Sequence, residues 1–483
     1  MGQGRGVGVS CRIGLAMAVG WLGAAAVPVA AQTASPVTFT KHIAPILQRS
    51  CQRCHRPDSV APMSLITYEQ ARPYARAMKQ RTALARAPYA RGAMPPWFLE
   101  KTIGIQAVKD DVSLSDGEIE LFAAWADGGA VEGNPADMPP PLQFADATAW
   151  SLGKPDLIVS SPRISVPAVA SDWAGSIGTT PTGLTEDRFV ASAEFKEVGE
   201  GKGVTAGTVG GLFVIHHAVV TLGQVGDKLT DTDDTGEAAE GAEGTSRLPI
   251  HEVGRNGDVF PPDAGVALRG KSTLIFGNVH LHSSGVARNA RLDVGLRLHP
   301  KGYQPKYEFR QASFGRAEIE VNPNQEKQRI DAYWVAPSAI KLLNFEPHMH
   351  AAAVRMCIEA IYGRTVETLN CAGYDHNWVR NYQYQDTVAP LLPKGTILHA
   401  IGWFDSTAKN ANNIEPRNLA TFGNSSVQNM FIVFNQAVYL TDEQYAEEIR
   451  ARQEHHRLTG EEIVACPQCL VPAPAPAAAG ATR

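Results

Sequence analysis

The chain has no excess of positive charge. Its 44 Lys and Arg stand against 49 Asp and Glu in 483 residues, a formal net charge of −5, which argues against nucleic acid as a partner. After residue 31, no stretch approaches the roughly 18 consecutive apolar residues that a membrane-spanning helix needs. There is no internal repeat, so the length is not a stack of copies of one unit. Cysteine is scarce at seven residues. No βαβ pattern is present, which removes the usual setting of a redox C-x-x-C pair.

The N-terminus has the features of an export signal. Arg5 and Arg12 precede an apolar run over residues 13–29, and Val29-Ala30-Ala31 offers small residues to a peptidase. Residues 1–31 are therefore expected to be a signal peptide, and the mature protein to be periplasmic or secreted. Cleavage removes Cys11 and leaves six cysteines, an even number suited to an oxidising compartment. Loss of Arg5 and Arg12 takes the net charge from −5 to −7.

Residues 51–55 read Cys-Gln-Arg-Cys-His, the arrangement that covalent haem attachment requires. Cys51 and Cys54 are placed to form thioethers with the haem vinyl groups, and His55 to ligate the iron. A helix over residues 41–47 leads into this motif. A second helix follows over residues 114–130, with Ser115 as N-cap, Glu118 as its capping-box partner, and Gly128 and Gly129 as the stop. An early helix, C-x-x-C-H and a terminal helix ending near Trp125-Ala126-Asp127-Gly128 together resemble a bacterial c-type cytochrome domain, here residues 36–135. The resemblance implies a distal methionine. Met94 in "GAMPPWF" matches the family position, and Met63 in "APMSL" is the competitor. A thioether ligand raises the haem potential.

A proline-rich linker, residues 136–154, closes this domain. From residue 155 to about 440, short apolar runs alternate with Gly, Pro, Asn and Asp, the pattern of β-sandwiches. The length exceeds one sandwich. We therefore expect two all-β domains, residues 155–310 and 311–445, with a break near residues 302–316. An insert over residues 227–243 carries seven acids against Lys228 and reads as a solvated loop. Residues 446–483 form a tail with a C-x-x-C and a Pro/Ala-rich end expected to be disordered. Cys357 and Cys371 flank a hairpin around Gly363 and suit a cross-strand disulfide. Cys466 and Cys469 lack a following histidine and suit a small disulfide rather than a second haem.

Histidines fall in pairs within strand-like segments: His216-His217, His280 with His282, and His348 with His350. Burying imidazoles without partners costs free energy. An H-x-H on a strand presents both rings on one face. Adjacent histidines in a regular strand point to opposite faces, so His216 and His217 can share a metal only where the strand bends or ends. Met430 adds a thioether, and a thioether beside two imidazoles favours copper, particularly Cu(I).

Together these segments resemble the copper type II, ascorbate-dependent monooxygenases, the family of the peptidylglycine α-hydroxylating and dopamine β-monooxygenases. The resemblance implies two jelly-roll-like sandwiches with one copper each. "VIHHAVV" and "GNVHLHSSG" match the electron-transfer copper segments, which implies His216, His217 and His280 as ligands. "EPHMHAAA" and "SSVQNM" match those of the oxygen-binding copper, which implies His348, His350 and Met430. His282 is then an extra histidine. Asp375, His376 and Asp405 are candidates to orient imidazoles. Ala351-Ala352-Ala353 departs from the basic residue and glycine found in many bacterial relatives. The whole predicts a haem c domain that feeds electrons to a two-copper monooxygenase. Its co-substrates would be O₂ and a small-molecule or peptide substrate, with ascorbate or a periplasmic redox protein as external donor. The alternatives are a haem and copper electron relay, or a copper-binding protein on the same scaffold.

Overall fold

The helix-forming and strand-forming stretches of the sequence separate along the chain, and a computed structural model follows that division. It describes residues 36–57, 59, 61–87, 90–144, 149–200, 214–224, 248–252, 257–425 and 428–470. The expected signal peptide, the acidic insert 227–243 and the Pro/Ala end lie outside the described residues.

Helices dominate only near the N-terminus. A wide turn over Phe39–Ile43 continues as the helix Ala44–Ser50, which ends at Cys51. The helix Asp116–Asp127 starts with the expected capping box: Glu118 N–H donates to Ser115 Oγ (3.2 Å) and Ser115 N–H to Glu118 Oε2 (2.8 Å). Two helices absent from the sequence expectation, Tyr68–Ala71 and Ala75–Ala83, lie between them. Phe39, Ile43, Leu47, Phe122 and Trp125 bury their apolar faces in one helical core.

Strands dominate from Leu157 onward and build two further cores. In the first sandwich, one sheet is centred on the antiparallel strands Arg188–Glu200 and Arg288–Leu298. The facing sheet is centred on Ser272–Leu281, with Ile215–Gln224 at its side. In the second sandwich, the five-stranded sheet runs Leu99–Gly104, Thr365–Gly373, Ala353–Tyr362, Ile397–Phe404 and Gln328–Val335. Opposite it lie a four-stranded sheet beginning at Glu308–Gln311 and a three-stranded sheet of Phe314–Gly315, Phe431–Val433 and Pro347–Met349. Gly402 lets this small sheet approach, since a Cβ there would sit 2.7 Å from the Phe431 ring.

Two expected boundaries shift. Residues 36–135 do not stay together: Leu99–Gly104 leaves the helical region and pairs with Thr365–Gly373 of the second sandwich. Trp97, Leu99, Ile105 and Val108 are buried in that sandwich's core, not in the helical one. Only Leu99 of that strand is buried, so the gain lies in completing the sheet and in burying the flanking Trp97, Ile105 and Val108. Residues 446–483 are likewise not a plain tail. The helix Asp442–Thr459, capped by Thr441 with Gln444 and stopped by Gly460 at positive φ, packs on the second sandwich. The Cys357–Cys371 disulfide joins directly opposed strand residues, and Cys466–Cys469 closes a small buried loop beside that helix.

Candidate metal centre and haem attachment site

The adjacent histidines His216 and His217 satisfy the geometric condition for sharing a metal. The strand Ile215–Gln224 pairs with Ser272–Leu281 so that His217 faces His280 while Ile215 faces Leu281. His216 is thus one residue too many, a β-bulge that turns its ring away from the regular alternation. The ligand atoms of His216, His217 and His280 all lie within 4.8 Å of one another, and all three residues are buried. Both ring nitrogens of His216 and the Nδ1 atoms of His217 and His280 are buried without a hydrogen-bond partner. His280 Nε2 lies 3.3 Å from Asp172 Oδ2, an electrostatic contact too poorly aligned to count as a hydrogen bond.

Each unpaired buried polar group costs about 1–3 kcal/mol. Several together would consume a large share of the roughly 5–15 kcal/mol that stabilises a domain. A metal ion drawing on these lone pairs removes that cost. Burial, followed by the neighbouring imidazoles, holds His216 and His217 well below the usual histidine range. Burial also lowers His280, with Asp172 opposing. Neutral imidazoles are the form that binds metal.

His348 and His350 approach this triad from the second sandwich. The strand Pro347–Met349 pairs with Phe431–Val433, His348 facing Ile432 and Met349 facing Phe431. The pairing ends there; carried one residue further, it would set His350 opposite Met430 and on the face of His348. Met430 is buried with Ile432, Phe434 and Ile250, where the two sandwiches meet. His348 Nδ1 donates to Glu252 Oε1 (2.5 Å) and His350 Nδ1 to the Gln428 carbonyl (3.3 Å), which leaves each Nε2 with its lone pair. The Tyr374 hydroxyl donates to the Met349 carbonyl between them. The His217 and His348 ring centres are 5.9 Å apart, so the two ligand sets form one continuous buried array.

Glu252 was not legible as a site residue. It lies on the two-residue strand His251–Glu252 beside His217 and reaches across to a histidine of the other sandwich. Asp375 and Asp405, expected to orient imidazoles, accept instead from residues two further on and shape turns. His376 enters the array, 4.7 Å from His216 between ring centres. His282 also stands beside His216, at 5.8 Å. Replacing Glu252 with Gln removes the carboxylate that fixes His348, and the affinity of any metal held by that histidine is expected to fall about 10- to 100-fold. Chelator competition measures this, and an unchanged affinity would show that Glu252 has no orienting role.

The Cys51–His55 pentapeptide continues the first helix as a turn, with the Cys54 and His55 N–H groups both donating to the Cys51 carbonyl. Cys51 and Cys54 are free thiols. Burial pushes the Cys51 thiol up to about 12 and raises Cys54, the opposite of the lowered thiol of a redox C-x-x-C pair. His55 Nδ1 donates to the Met63 carbonyl (3.3 Å), leaving Nε2 for iron. That bond fixes the Met63 backbone and not its thioether. Met94 is 39 % exposed, with its N–H donating to the Arg81 carbonyl, and the structure does not bring it against His55. Three residues on, the Trp97 ring lies 4.9 Å from the Arg380 guanidinium and packs edge-on against Tyr382.

No protein-family model matches the chain, and no curated protein matches it. Among solved structures it is similar to the cowpea mosaic virus top component, at 10% identity over 64% of this chain and 95% of that one, with a TM-score of 0.27. It is also similar to the infectious bursal disease virus Gx strain structure (11% identity, 62% and 76%, TM-score 0.17). PNGF-II gives comparable values (11% identity, 62% and 64%, TM-score 0.22). Among the described residues, no helix is long and apolar enough to cross a membrane.

On the expectation of a haem c ligated by Met94, replacing Met94 with Ala should lower the reduction potential and open the distal position, read by potentiometry and absorption. No change in either would move the axial assignment to Met63.

Proposed function

We propose that this chain is a periplasmic or secreted copper-dependent monooxygenase that hydroxylates a C–H bond with O₂ and takes its electrons through an N-terminal haem c region. The observation that carries this reading is the buried triad of His216, His217 and His280, with ligand atoms within 4.8 Å of one another and the His348 ring 5.9 Å from that of His217; His348, His350 and Met430 would form the second, softer set. Copper in these sets would supply one-electron redox chemistry at each site, with the thioether favouring Cu(I) at the second.

The protein's own contributions follow from its contacts. Glu252 holds the proton on His348 Nδ1 and so fixes which nitrogen faces the metal. The Gln428 carbonyl does the same for His350. The bulge at His216 brings two neighbouring rings to one point. Burial keeps bulk water from His216, His217 and His350 and favours their neutral form. In the helical region, Cys51 and Cys54 would hold a haem and His55 its iron, with Met94 as the opposite ligand. The two free thiols and the His55–Met63 anchor support that assignment. Trp97 and Arg380 join the Met94 loop to the segment that carries His376.

The test is a haem and copper count on the mature protein, followed by oxygen uptake and product analysis with candidate substrates and either ascorbate or a protein reductant. One haem, two coppers and a hydroxylated product are expected. Electron transfer without product would make the chain a relay, and metal binding alone would make it a store.

A further inference from the structure

We propose that Arg380, a residue of the second sandwich, tunes the haem held by Cys51 and Cys54: its unpaired positive charge raises the haem's reduction potential. The inference rests on the haem reading above and concerns how that group is tuned, not whether it is held.

The second sandwich reaches the Cys51–His55 pentapeptide through short contacts. Arg53 Nη2 lies 3.4 Å from Asp110 Oδ1. Just before Asp110, the Lys109 N–H donates to the Gln383 carbonyl (2.7 Å) and Val108 bridges to Tyr384. Three residues ahead of Gln383, the Arg380 guanidinium lies 4.9 Å from the centre of the Trp97 ring. Trp97 also packs edge-on against Tyr382, whose hydroxyl accepts from the Phe98 N–H (3.2 Å). Arg380 is thus fixed against the loop that carries Met94. Burial raises the Cys54 thiol, and of the cations that oppose this Arg380 acts most strongly, ahead of the nearby Arg53 and Arg56.

Arg380 differs from its neighbours in that nothing neutralises it. Arg53 shares Asp110, and their side chains are 67 % and 73 % exposed, so water and salt screen that pair. Arg380 Nε is buried with no hydrogen-bond partner, and among the described residues no carboxylate pairs with the guanidinium. The Trp97 face holds the cation in place without cancelling its charge. Burial works against the charge, yet a guanidinium keeps its proton in a protein. Oxidation of a haem removes one electron from Fe(II) and leaves Fe(III), one positive charge more. A fixed cation nearby opposes that change, and the less it is screened the stronger the effect. Arg380 and a methionine ligand would therefore act in the same direction. Both make the haem a better acceptor for a mild external donor.

The experiment is potentiometry on the full mature chain with its haem attached. At a fixed ambient potential, Arg380→Gln should shift the ratio of ferrous to ferric haem about 10-fold toward ferric, the size expected of one poorly screened charge at an intermediate dielectric. Arg380→Met, which keeps the packing on Trp97, should do the same and serves if the Gln variant does not fold. Arg380→Lys restores the charge and should stay within about 3-fold of the parent. Arg53→Gln, which removes an exposed and paired cation, should change the ratio less than about 2-fold. The absorption spectrum should show the same axial ligation in all of them. An unchanged ratio in Arg380→Gln and Arg380→Met would overturn the proposal. So would a shift that Arg380→Lys fails to restore, or one that comes with altered ligation, because either would mean that Arg380 acts by packing. A parent chain isolated without covalent haem would instead overturn the haem reading beneath it.

Discussion

Deleting residues 1–140 is expected to unfold the second sandwich, not to yield a haem-free enzyme. The deletion removes Leu99–Gly104, an edge strand of its five-stranded sheet, together with Leu99, Ile105 and Val108 from its core. Fully burying side chains of this kind contributes about 1.5–3 kcal/mol each, so the three alone represent roughly 5–9 kcal/mol as an upper estimate. That is comparable with the whole stability of a domain, about 5–15 kcal/mol. Further losses follow. Asn370 Nδ2 donates to the Ile105 carbonyl (2.7 Å) and Tyr384 Oη to Asn370 Oδ1 (2.7 Å), so a buried chain loses its acceptor. The bare edge of Thr365–Gly373 would also be open to pairing with other chains. Soluble yield and circular dichroism measure the effect, and a well-folded truncated protein would refute it. The cleaner way to remove haem is Cys51→Ser with Cys54→Ser, which leaves the strand in place. That variant should lose turnover driven by a protein reductant and retain turnover with excess ascorbate. Equal activity with both donors would mean the haem is not the electron entry.

Substituting either His348 or His350 with Ala is expected to lower the copper content from two ions per chain to one and to reduce hydroxylation by at least about 100-fold. The bound is set by comparison: residues that only orient a ligand cost about 10- to 100-fold, and these residues would be ligands themselves. The remaining ion should stay, because His216, His217 and His280 are held by their own strands and bulge in the other sandwich. Metal analysis decides the matter. Loss of both coppers, or of neither, would contradict two separate sites. Met430→His should act differently, keeping the metal while disfavouring Cu(I).

The parts of this protein that depend on short-range spacing were visible in the sequence. His348 and His350 sit two apart, and a strand places such residues on one face whatever lies around it. The Cys51–His55 pentapeptide, the Ser115–Glu118 capping box and the Cys357–Cys371 hairpin are equally local, since a turn or a ladder needs only its own neighbours. The helix Asp442–Thr459 also carried its signals, a capping box at Thr441 and a stop at Gly460. Its mostly polar face hid it within what was read as a tail.

Other features were decided only by long-range pairing. The bulge at His216 exists because His280 and Leu281 fix the register from more than sixty residues away, and one strand's sequence does not show its partner's register. Glu252 and Asp172 stand alone in sequence and acquire their roles by where sheet pairing carries them. His376 looked like a turn residue because its neighbours are turn residues, and only packing turned its ring into the array. The departure of Leu99–Gly104 from its helical neighbours has the same origin. A strand's local sequence says that it pairs, but hydrogen bonding and burial across the whole fold decide with what.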